Sequence, residues 1–124
     1  MYTISGKVIK GDQYGRKIGF PTINLDRKNF MRLEKKPVFG VYAGKVSLMS
    51  NTRCLTYQAG IVIGPLDKKG LPKIEAHLLG YNGNAYDKKV ILEMNKFIRK
   101  FKKFKTEKEL IIQIEKDLNI CSQA

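Results

Sequence analysis

The fold is decided by residues 57–79, whose sequence is YQAGIVIGPLDKKGLPKIEAHLL. Two short runs at its ends, residues 57–63 and 73–79, are rich in apolar and β-branched side chains. Between them, residues 65–70 contain the proline, aspartate and glycine that are typical of turns. The second run alternates apolar with other side chains, as in a strand that buries one face. This stretch therefore predicts two strands joined by a turn.

Three further segments have the composition of strands: residues 4–9, 39–46 and 90–94. Turn residues lie between the segments, including Gly11-Asp12 and the run Asn82-Gly83-Asn84. The second of these favours a hairpin because Asn and Gly tolerate positive φ. Short strands at this spacing are typical of an antiparallel barrel or sandwich. The residues alone therefore predict a mainly β fold.

The hydrophobic period changes near the C-terminus. Four apolar residues fall on one face of a helix: Leu110, Ile111, Ile114 and Leu118. Thr106 precedes them as a candidate N-cap, with Glu109 three residues later to complete a capping box. We predict a helix over about residues 107–119, packed against the β-sheet structure that occupies about residues 1–100 of a single domain.

The chain has 124 residues and carries 24 Lys and Arg against 11 Asp and Glu, a formal net charge of +13. This surplus favours polyanionic ligands: nucleic acid, an anionic membrane surface or a phosphorylated small molecule. No apolar run approaches the roughly 20 residues of a membrane span, and the N-terminus lacks the apolar region of a signal peptide. Cys54 and Cys121 make neither a disulfide framework nor a zinc site. We expect a cytoplasmic, monomeric protein with no membrane partner.

Residues 11–24 contain several glycines. Gly11 and Gly15 enclose a short run of three residues, and Arg16 follows Gly15 directly. Glycines at this spacing let a backbone approach phosphates, and the arginine would neutralise their charge. Glycines that only form turns between strands have the same spacing. The residues therefore leave both interpretations open.

The same segment ends with Phe20-Pro21-Thr22-Ile23-Asn24. In an extended backbone Thr22 and Asn24 point to the same side. A hydroxyl and an amide oxygen suit Mg²⁺, which needs one or two protein oxygens when phosphates supply the rest. The alternative is that both side chains hydrogen-bond within a turn.

A carboxylate and the chain's single histidine share one face of the predicted strand over residues 73–79. Alternation places Glu75 and His77 opposite the apolar side chains. A carboxylate on a rigid strand can act as a general base, or it can be a solvated residue on the outer face. For His77 a structural role is the expected one.

The motifs occur in a specific order along nearly the whole chain. They are Gly6-Lys-Val-Ile-Lys-Gly11, Gly15-Arg-Lys-Ile-Gly-Phe-Pro-Thr-Ile-Asn24, Gly40-Val-Tyr-Ala43, Ile63-Gly-Pro65, Glu75-Ala-His-Leu-Leu79, Tyr86, Phe97-Ile-Arg99, Phe104 and the helix that contains Asp117. This series closely resembles the riboflavin kinase (flavokinase) family. The resemblance implies a six-stranded antiparallel Greek-key β-barrel with a C-terminal helix.

The resemblance also implies an activity, the transfer of the ATP γ-phosphoryl group to the 5′-hydroxyl of riboflavin to give FMN and ADP. Bacterial relatives are often fused to an adenylyltransferase that makes FAD. A chain of 124 residues has no room for that domain, so we expect the product to be FMN.

Site residues follow from the same resemblance. The residues implied to bind ATP are Gly11, Gly15, Arg16, Thr22, Asn24 and Tyr86. Thr22 and Asn24 are also implied to hold Mg²⁺. Glu75 is implied to be the base that accepts the hydroxyl proton, and Arg99 to lie beside the flavin. Phosphoryl transfer requires mainly positioning and charge neutralisation, so the absence of a P-loop is no objection.

Three positions depart from the family pattern. Val62 stands where relatives usually carry Asn, a change we expect to concern packing or a loop contact. Asp87 replaces a Gly and Phe101 replaces a Glu. The resemblance places these last two near the flavin-side flap, where they would affect flavin affinity and turnover. A flavin- or nucleotide-binding module with impaired catalysis is therefore an alternative function.

Residues 88–108 hold nine of the basic side chains against two acidic ones, with Phe97, Phe101 and Phe104 between them. A small barrel with a basic, aromatic edge would also suit single-stranded nucleic acid. The other interpretation is a solvated basic face with the aromatic rings turned into the core. Nucleic acid is a less favoured partner than ATP and riboflavin, because the order of the motifs matches a kinase.

Overall fold

The computed structural model describes residues 2–11, 17–50, 52–81 and 85–123. The six strands are β1 (Tyr2–Ile9), β2 (Ile23–Leu25), β3 (Gly40–Met49), β4 (Cys54–Leu66), β5 (Pro72–Leu78) and β6 (Lys89–Lys100). The helices are the short α1 (Lys28–Met31) and the C-terminal α2 (Glu107–Gln123). None of the helices in the described part of the chain is long and apolar enough to span a membrane.

The strands form a closed antiparallel barrel in the order β1-β2-β5-β4-β3-β6. Strands β3, β4 and β5 follow one another as a meander, and β6 returns to pair with β3. Three consecutive strands with a fourth beside the first make a Greek key. The predicted six-stranded Greek-key barrel with a C-terminal helix is confirmed.

Several elements extend beyond the segments predicted from the sequence. Strand β6 continues to Lys100, six residues beyond the predicted end, because it stays paired with the first residues of β3. Irregularities in that pairing interrupt the alternation of side chains, which is why the pattern alone ended the strand early. Helix α2 continues to Gln123, and the backbone N–H of Glu109 donates to Thr106 Oγ1 at 3.1 Å, so Thr106 caps the helix as predicted.

The core fills the barrel interior with aliphatic side chains that alternate inward along each strand. Among the members that are at most 2% exposed are Ile4, Val8, Leu25, Ile61, Ile63, Ile74, Leu92 and Met94. Their strand neighbours point outward. The barrel is therefore a packed core, and ligand sites must lie on its outer surface or at its ends.

One outward row of residues crosses all six strands. The register pairs Ile9 with Asn24, Asn24 with Glu75, Glu75 with Val62, Val62 with Val41 and Val41 with Arg99. Directly paired residues of antiparallel strands carry their side chains on the same face. Three predicted site residues that are far apart in sequence, Asn24, Glu75 and Arg99, thus all point to the outer face of the barrel.

Helix α2 packs on the outer face of β4 at Gly60. A Cβ at Gly60 would lie 3.2 Å from Leu118 Cδ2 and 3.4 Å from Cys121 Sγ, so the glycine allows the helix to approach closely. The neighbouring outward residue of β3, Ala43, is also small and fully buried. The helix therefore covers the outer face next to the outward row and leaves a cleft beside it.

Candidate functional site

The larger cleft lies between the outer face of the barrel, helix α2 and the segment that joins β6 to α2. Its cavity has a volume of about 550 Å³, within the range of sites that hold small organic ligands. Thr22, Glu75, His77 and Arg99 line it, together with the connecting segment over residues 101–106. Three residues that the sequence predicted for one site, Thr22, Glu75 and Arg99, do share one cavity.

A smaller cavity of about 170 Å³ lies where the end of β1 meets β2 and the start of β5. Gly11 and Asn24 line it, as do Arg27, Asp67 and Lys73. Three cations (Lys10, Arg27 and Lys73) and an amide surround this small cavity at the end of β1, against the single carboxylate of Asp67, and such a lining suits a polyanionic group. Two of the residues predicted to contact the nucleotide, Gly11 and Asn24, therefore lie together, next to cations that sequence reasoning did not select.

The two cavities adjoin at strands β2 and β5 and share one described lining residue, Lys73. Asn24 of β2 and Glu75 of β5 are direct partners in the antiparallel register, so their side chains lie next to each other on the outer face. Asn24 lines the smaller cavity and Glu75 the larger one, while Lys73 lines both. A group transferred from one cavity to the other would pass these side chains.

The outward direction of Thr22 and Asn24 follows from the alternation in this segment. Ile23 and Leu25 are buried in the core, whereas Thr22 and Asn24 are half-buried. Gly11 closes over the amide of Asn24, and a Cβ at Gly11 would overlap that side chain. The absence of a side chain at Gly11 is therefore a requirement of the geometry around Asn24.

His77 fixes the segment that carries Thr22. Its Nδ1–H donates to the carbonyl oxygen of Pro21 at 2.7 Å, since a carbonyl can only accept. The ring also lies edge-on to Phe20, with 6.2 Å between centroids. These contacts support the structural role expected for His77 and tie residues 20–22 to β5.

The smaller cavity contains an ion pair. Arg27 Nη1 lies 2.7 Å from Asp67 Oδ2. Asp67 Oδ1 also accepts from the backbone N–H groups of Lys69 at 2.8 Å and Leu71 at 3.1 Å. The bond from Leu71, with lesser contributions from Arg27 and Lys69, holds the pKa of the Asp67 carboxyl below its ordinary value. The carboxylate thus keeps the β4–β5 turn and Arg27 in place beside the cavity.

Arg99 lies in the larger cavity but is bound to a partner that sequence reasoning did not propose. Its Nε–H donates to both carboxylate oxygens of Asp117, each at 3.1 Å, and Nη2 donates to Oδ2 at 2.8 Å. Asp117 is 5% exposed and lines the same cavity. Position 117 lies seven residues after Leu110, on the apolar face of α2, and an acid at such a position is a detectable sign of a buried ion pair.

The aromatic residues of the basic segment lie in different places, so the interpretation that all three are turned into the core does not hold. Phe97 pairs with the core residue Tyr42 in the β3–β6 register, with 5.1 Å between ring centroids, yet it is 44% exposed. Phe101 follows the end of β6 and is 37% exposed. Phe101 lines the larger cavity, as does Phe104. The Arg99 guanidinium lies 5.7 Å from the Phe104 ring centroid, within the range of a cation–π contact.

The other departures from the family pattern lie in different places. Val62 is the direct partner of Glu75 in the β4–β5 register and lines the larger cavity, so it borders the site. Asp87 lies in the turn before β6 with φ +66° and is not among the described residues that line either cavity. A left-handed backbone explains why glycine suits that position.

The remaining predicted residues are placed as follows. Tyr86 lies in the same turn, which hydrogen-bonds to Val8 near the end of β1, and it lines neither of the cavities formed by the described residues. Gly15 and Arg16 lie outside the described residues, as does the predicted hairpin turn at 82–84. Their assignments remain predictions.

The side chains that could bind a divalent cation are few. Within the described ranges no group of three or more His, Cys, Asp and Glu residues could hold a metal ion by itself. Thr22 and Asn24 offer two neutral oxygens on one side of the strand, Thr22 in the lining of the larger cavity and Asn24 in that of the smaller one. Such a set fits Mg²⁺ that arrives with a phosphorylated ligand, because Mg²⁺ is bound by few protein oxygens when phosphates complete its shell.

Comparison with known proteins gives one consistent family. The family model described as "Flavokinase: Riboflavin kinase" matches residues 1–124. Curated relatives named "Bifunctional riboflavin kinase/FMN adenylyltransferase" are 38% identical over 117 residues in Bacillus subtilis (strain 168) and 35% identical over 116 residues in Escherichia coli (strain K12). Each alignment covers 94% of this chain but 36% of the relative, so the chain spans little more than a third of the length of these relatives.

Two solved structures share the fold. A structure described as a macrolide-efflux protein from Streptococcus pneumoniae matches with a TM-score of 0.82 and 26% identity, over 98% of this chain and 38% of that one. Riboflavin kinase from Trypanosoma brucei matches with a TM-score of 0.66 and 23% identity, over 98% of this chain and 77% of that one. The second likeness concerns the fold alone.

Proposed function

This chain belongs to the riboflavin kinase family, and we propose that it transfers the γ-phosphoryl group of ATP to the 5′-hydroxyl of riboflavin, giving FMN and ADP. The observation that carries the proposal is the pairing of Asn24 with Glu75 where the two cavities adjoin. A nucleotide in the smaller cavity and a flavin in the larger one would bring donor and acceptor together at this pair. We propose only the kinase reaction for this chain, because the matching family model is described as riboflavin kinase.

The size and lining of the cavities support this arrangement. The larger cavity, about 550 Å³ with Phe101 and Phe104 in its wall, suits a planar aromatic substrate. The smaller cavity, with Arg27 and Lys73, suits the phosphates of the nucleotide. Adenosine would extend beyond its 170 Å³, toward the surface that the end of β1 borders.

Glu75 is proposed as the general base. The 5′-hydroxyl oxygen attacks the γ-phosphorus, the bond from that phosphorus to the β–γ bridging oxygen breaks, and the hydroxyl proton passes to the Glu75 carboxylate. ADP leaves with the bridging oxygen. Glu75 lies on strand β5, which is paired on both sides, so its backbone is held rigidly. Proton transfer in such a reaction requires a base that is held in this way.

Thr22 and Asn24 are the residues that would hold Mg²⁺. The ion, when bound with ATP, neutralises the charge that develops on the phosphates. The chain's own contribution is to fix the two oxygens: His77 holds the segment before Thr22, and Gly11 packs against the Asn24 amide. Lys73, which lines both cavities, is placed to neutralise the transferred group.

The function is tested by incubating the purified protein with riboflavin and Mg-ATP and separating FMN by chromatography. We expect turnover by the wild-type protein and a loss of roughly 10²- to 10⁴-fold in Glu75→Gln, the range of general-base catalysis. Riboflavin binding, followed by flavin fluorescence, should persist in that variant. Glu93→Gln is the matched control, since Glu93 is a strand carboxylate that is not among the described lining residues of either cavity.

The outcomes separate the alternatives. Absence of FMN with intact riboflavin binding by the wild-type protein would favour a binding module without catalysis. Equal activities of Glu75→Gln and the wild type would exclude Glu75 as the base. Retention on single-stranded nucleic acid that falls steeply with salt, without FMN formation, would favour a nucleic-acid-binding protein.

A further inference from the structure

Asp117 is a buried charged side chain within the part of the chain that the structure describes, and the proposed reaction gives it no part. It is 5% exposed, on the barrel-facing side of α2. A buried carboxylate is costly unless it is paired and hydrogen-bonded. What it binds therefore indicates why it is there.

Both oxygens of Asp117 are engaged. Oδ1 accepts from Arg99 Nε and from Gln113 Nε2 at 3.0 Å, and Oδ2 accepts from Arg99 Nε and Nη2. Gln113 lies one helical turn before Asp117, so the carboxylate is held by its own helix on one side and by β6 on the other. The network therefore joins α2 to the end of the barrel strand.

The same network determines where the Arg99 guanidinium lies. Besides Asp117, Arg99 Nη1 donates to the carbonyl oxygen of Lys100 at 3.3 Å, and the guanidinium faces the Phe104 ring. Arginine has five N–H hydrogens, and these bonds use one on each of its three nitrogens. The terminal nitrogens keep one hydrogen each for a ligand in the cavity that Arg99 and Asp117 both line.

We propose that Asp117 is a positioning residue for the riboflavin cavity: it acts through Arg99, which it fixes as a preorganised donor in the cavity wall. This inference rests on the proposed function of that cavity. An arginine without such a partner must lose side-chain conformational freedom when a ligand binds, and this loss weakens affinity. Asp117 removes that cost in advance, as the groups behind a binding residue commonly do.

Asp117→Asn is expected to weaken riboflavin binding by about tenfold, as loss of a supporting partner typically does. The KM for riboflavin should rise by a similar factor, with the KM for Mg-ATP unchanged and kcat changed less than the riboflavin KM. Glu115→Gln is the matched control, because Glu115 is an exposed carboxylate on the same helix and its removal changes the net charge equally. That control should bind riboflavin as the wild type does.

A double-mutant cycle distinguishes positioning from a purely structural role. If Asp117 acts through Arg99, Asp117→Asn should have little further effect on riboflavin affinity in an Arg99→Met background. Independent effects that multiply would overturn the inference. Arg99→Lys keeps a cation beside Asp117, so the fold is retained. Because a lysine cannot form the bidentate pair with the carboxylate, this variant should also bind riboflavin about tenfold more weakly.

Binding is measured by quenching of riboflavin fluorescence, and folding of each variant by thermal unfolding. Because binding is measured without turnover, these experiments separate the proposed kinase reaction from the proposed role of Asp117. A wild-type protein that binds riboflavin without making FMN contradicts the proposed reaction, while the binding measurements still decide the inference. Wild-type affinity in folded Asp117→Asn and Arg99→Lys would overturn the inference and leave the kinase function intact. A wild-type protein that does not bind riboflavin would overturn both.

Discussion

Asp87 adopts a left-handed backbone conformation, with φ +66°, in the turn before β6. The Cβ of an L-residue crowds the carbonyl in this conformation, at a cost of roughly 1 kcal/mol, which glycine avoids. The carboxylate gains little in return, because its 3.5 Å pair with Lys7 is between side chains that are 85% and 62% exposed. The residue at this position therefore affects stability more through its backbone than through its charge.

Asp87→Gly is accordingly expected to stabilise the protein by up to about 1 kcal/mol, a rise of a few degrees in the midpoint of thermal unfolding. Asp87→Ala is the control, since it removes the same carboxylate and keeps a Cβ. Equal midpoints for the two variants would show that the ion pair, not the backbone, decides the effect.

Thr22 and Asn24 illustrate how far a short motif determines a site. Their spacing predicted a common direction, and burial of Ile23 and Leu25 on the opposite side agrees with it. Their approach to Glu75 was not predictable from spacing, because it depends on pairing between β2 and β5, which are separated by two intervening strands. Sequence alternation gives the face of a residue, and strand register gives its neighbours.

Replacing Asn24 or Thr22 by Ala should lower kcat/KM for Mg-ATP by about tenfold or more, which corresponds to ~1.4 kcal/mol of transition-state stabilisation. Riboflavin binding measured without nucleotide should change less, because these oxygens are proposed to act on the phosphates. Asn95→Ala, an exposed amide on β6, is the control. Unchanged use of Mg-ATP in both single variants would contradict the assignment of these two residues.

At the scale of elements, the position of α2 depends on its own apolar face and N-cap and on the barrel surface against which it packs. Only the first of these could be predicted from the sequence. The apolar face and the Thr106 cap were predicted from local periodicity. The surface that receives the helix was not, because Ala43 and Gly60 lie on different strands and come together only through the β3–β4 register. A contact between elements distant in sequence leaves no periodic signal in either one.

Cys121 reports whether α2 is packed against the barrel. Its side chain is 1% exposed and lies near Gly60, whereas Cys54 is exposed. Burial, with a further contribution from Asp117, raises the pKa of the Cys121 thiol to about 11. Only a thiolate reacts rapidly with alkylating reagents, so Cys121 should be protected at pH 8 in the native state.

Native protein at pH 8 should therefore incorporate one equivalent of iodoacetamide, at Cys54, and a second only after denaturation. Cys54→Ser should incorporate none in the native state. Labelling of Cys121 at the rate of Cys54 would show that α2 leaves the barrel readily. Peptide mass spectrometry identifies the modified residue.

The same thiol predicts the direction of a pH dependence. A group whose pKa is higher in the folded than in the unfolded chain stabilises the fold at pH values below the unfolded pKa, here 9.0. That contribution is lost as the pH rises from 9.0 through about 11. The free energy of unfolding in urea should decline less between pH 8 and pH 10 in Cys121→Ala than in the wild type, and equal declines would contradict this assignment.

At the scale of the whole molecule, the formal charge of +13 has two different consequences for the proposed substrates. ATP is an anion that a basic protein attracts over distances comparable to the Debye length, about 30 Å at 0.01 M salt and about 10 Å at 0.1 M. Riboflavin is uncharged at neutral pH and has no such attraction. The composition suggested a polyanionic ligand, and of the two proposed substrates only ATP is one.

Salt should therefore affect the two substrates unequally. Raising the ionic strength from about 0.01 M to about 0.3 M is expected to raise the KM for Mg-ATP several-fold and to change the KM for riboflavin less than twofold. A double variant, Lys45→Gln with Lys96→Gln, lowers the net charge by two at exposed positions outside the described lining of both cavities, and its Mg-ATP KM should depend less on salt. If the salt dependence persisted unchanged in that variant, the attraction would come from cations inside the cavities, such as Arg27 and Lys73. Equal salt effects on both substrates would instead show that salt acts on the protein's conformation and not on the approach of the nucleotide.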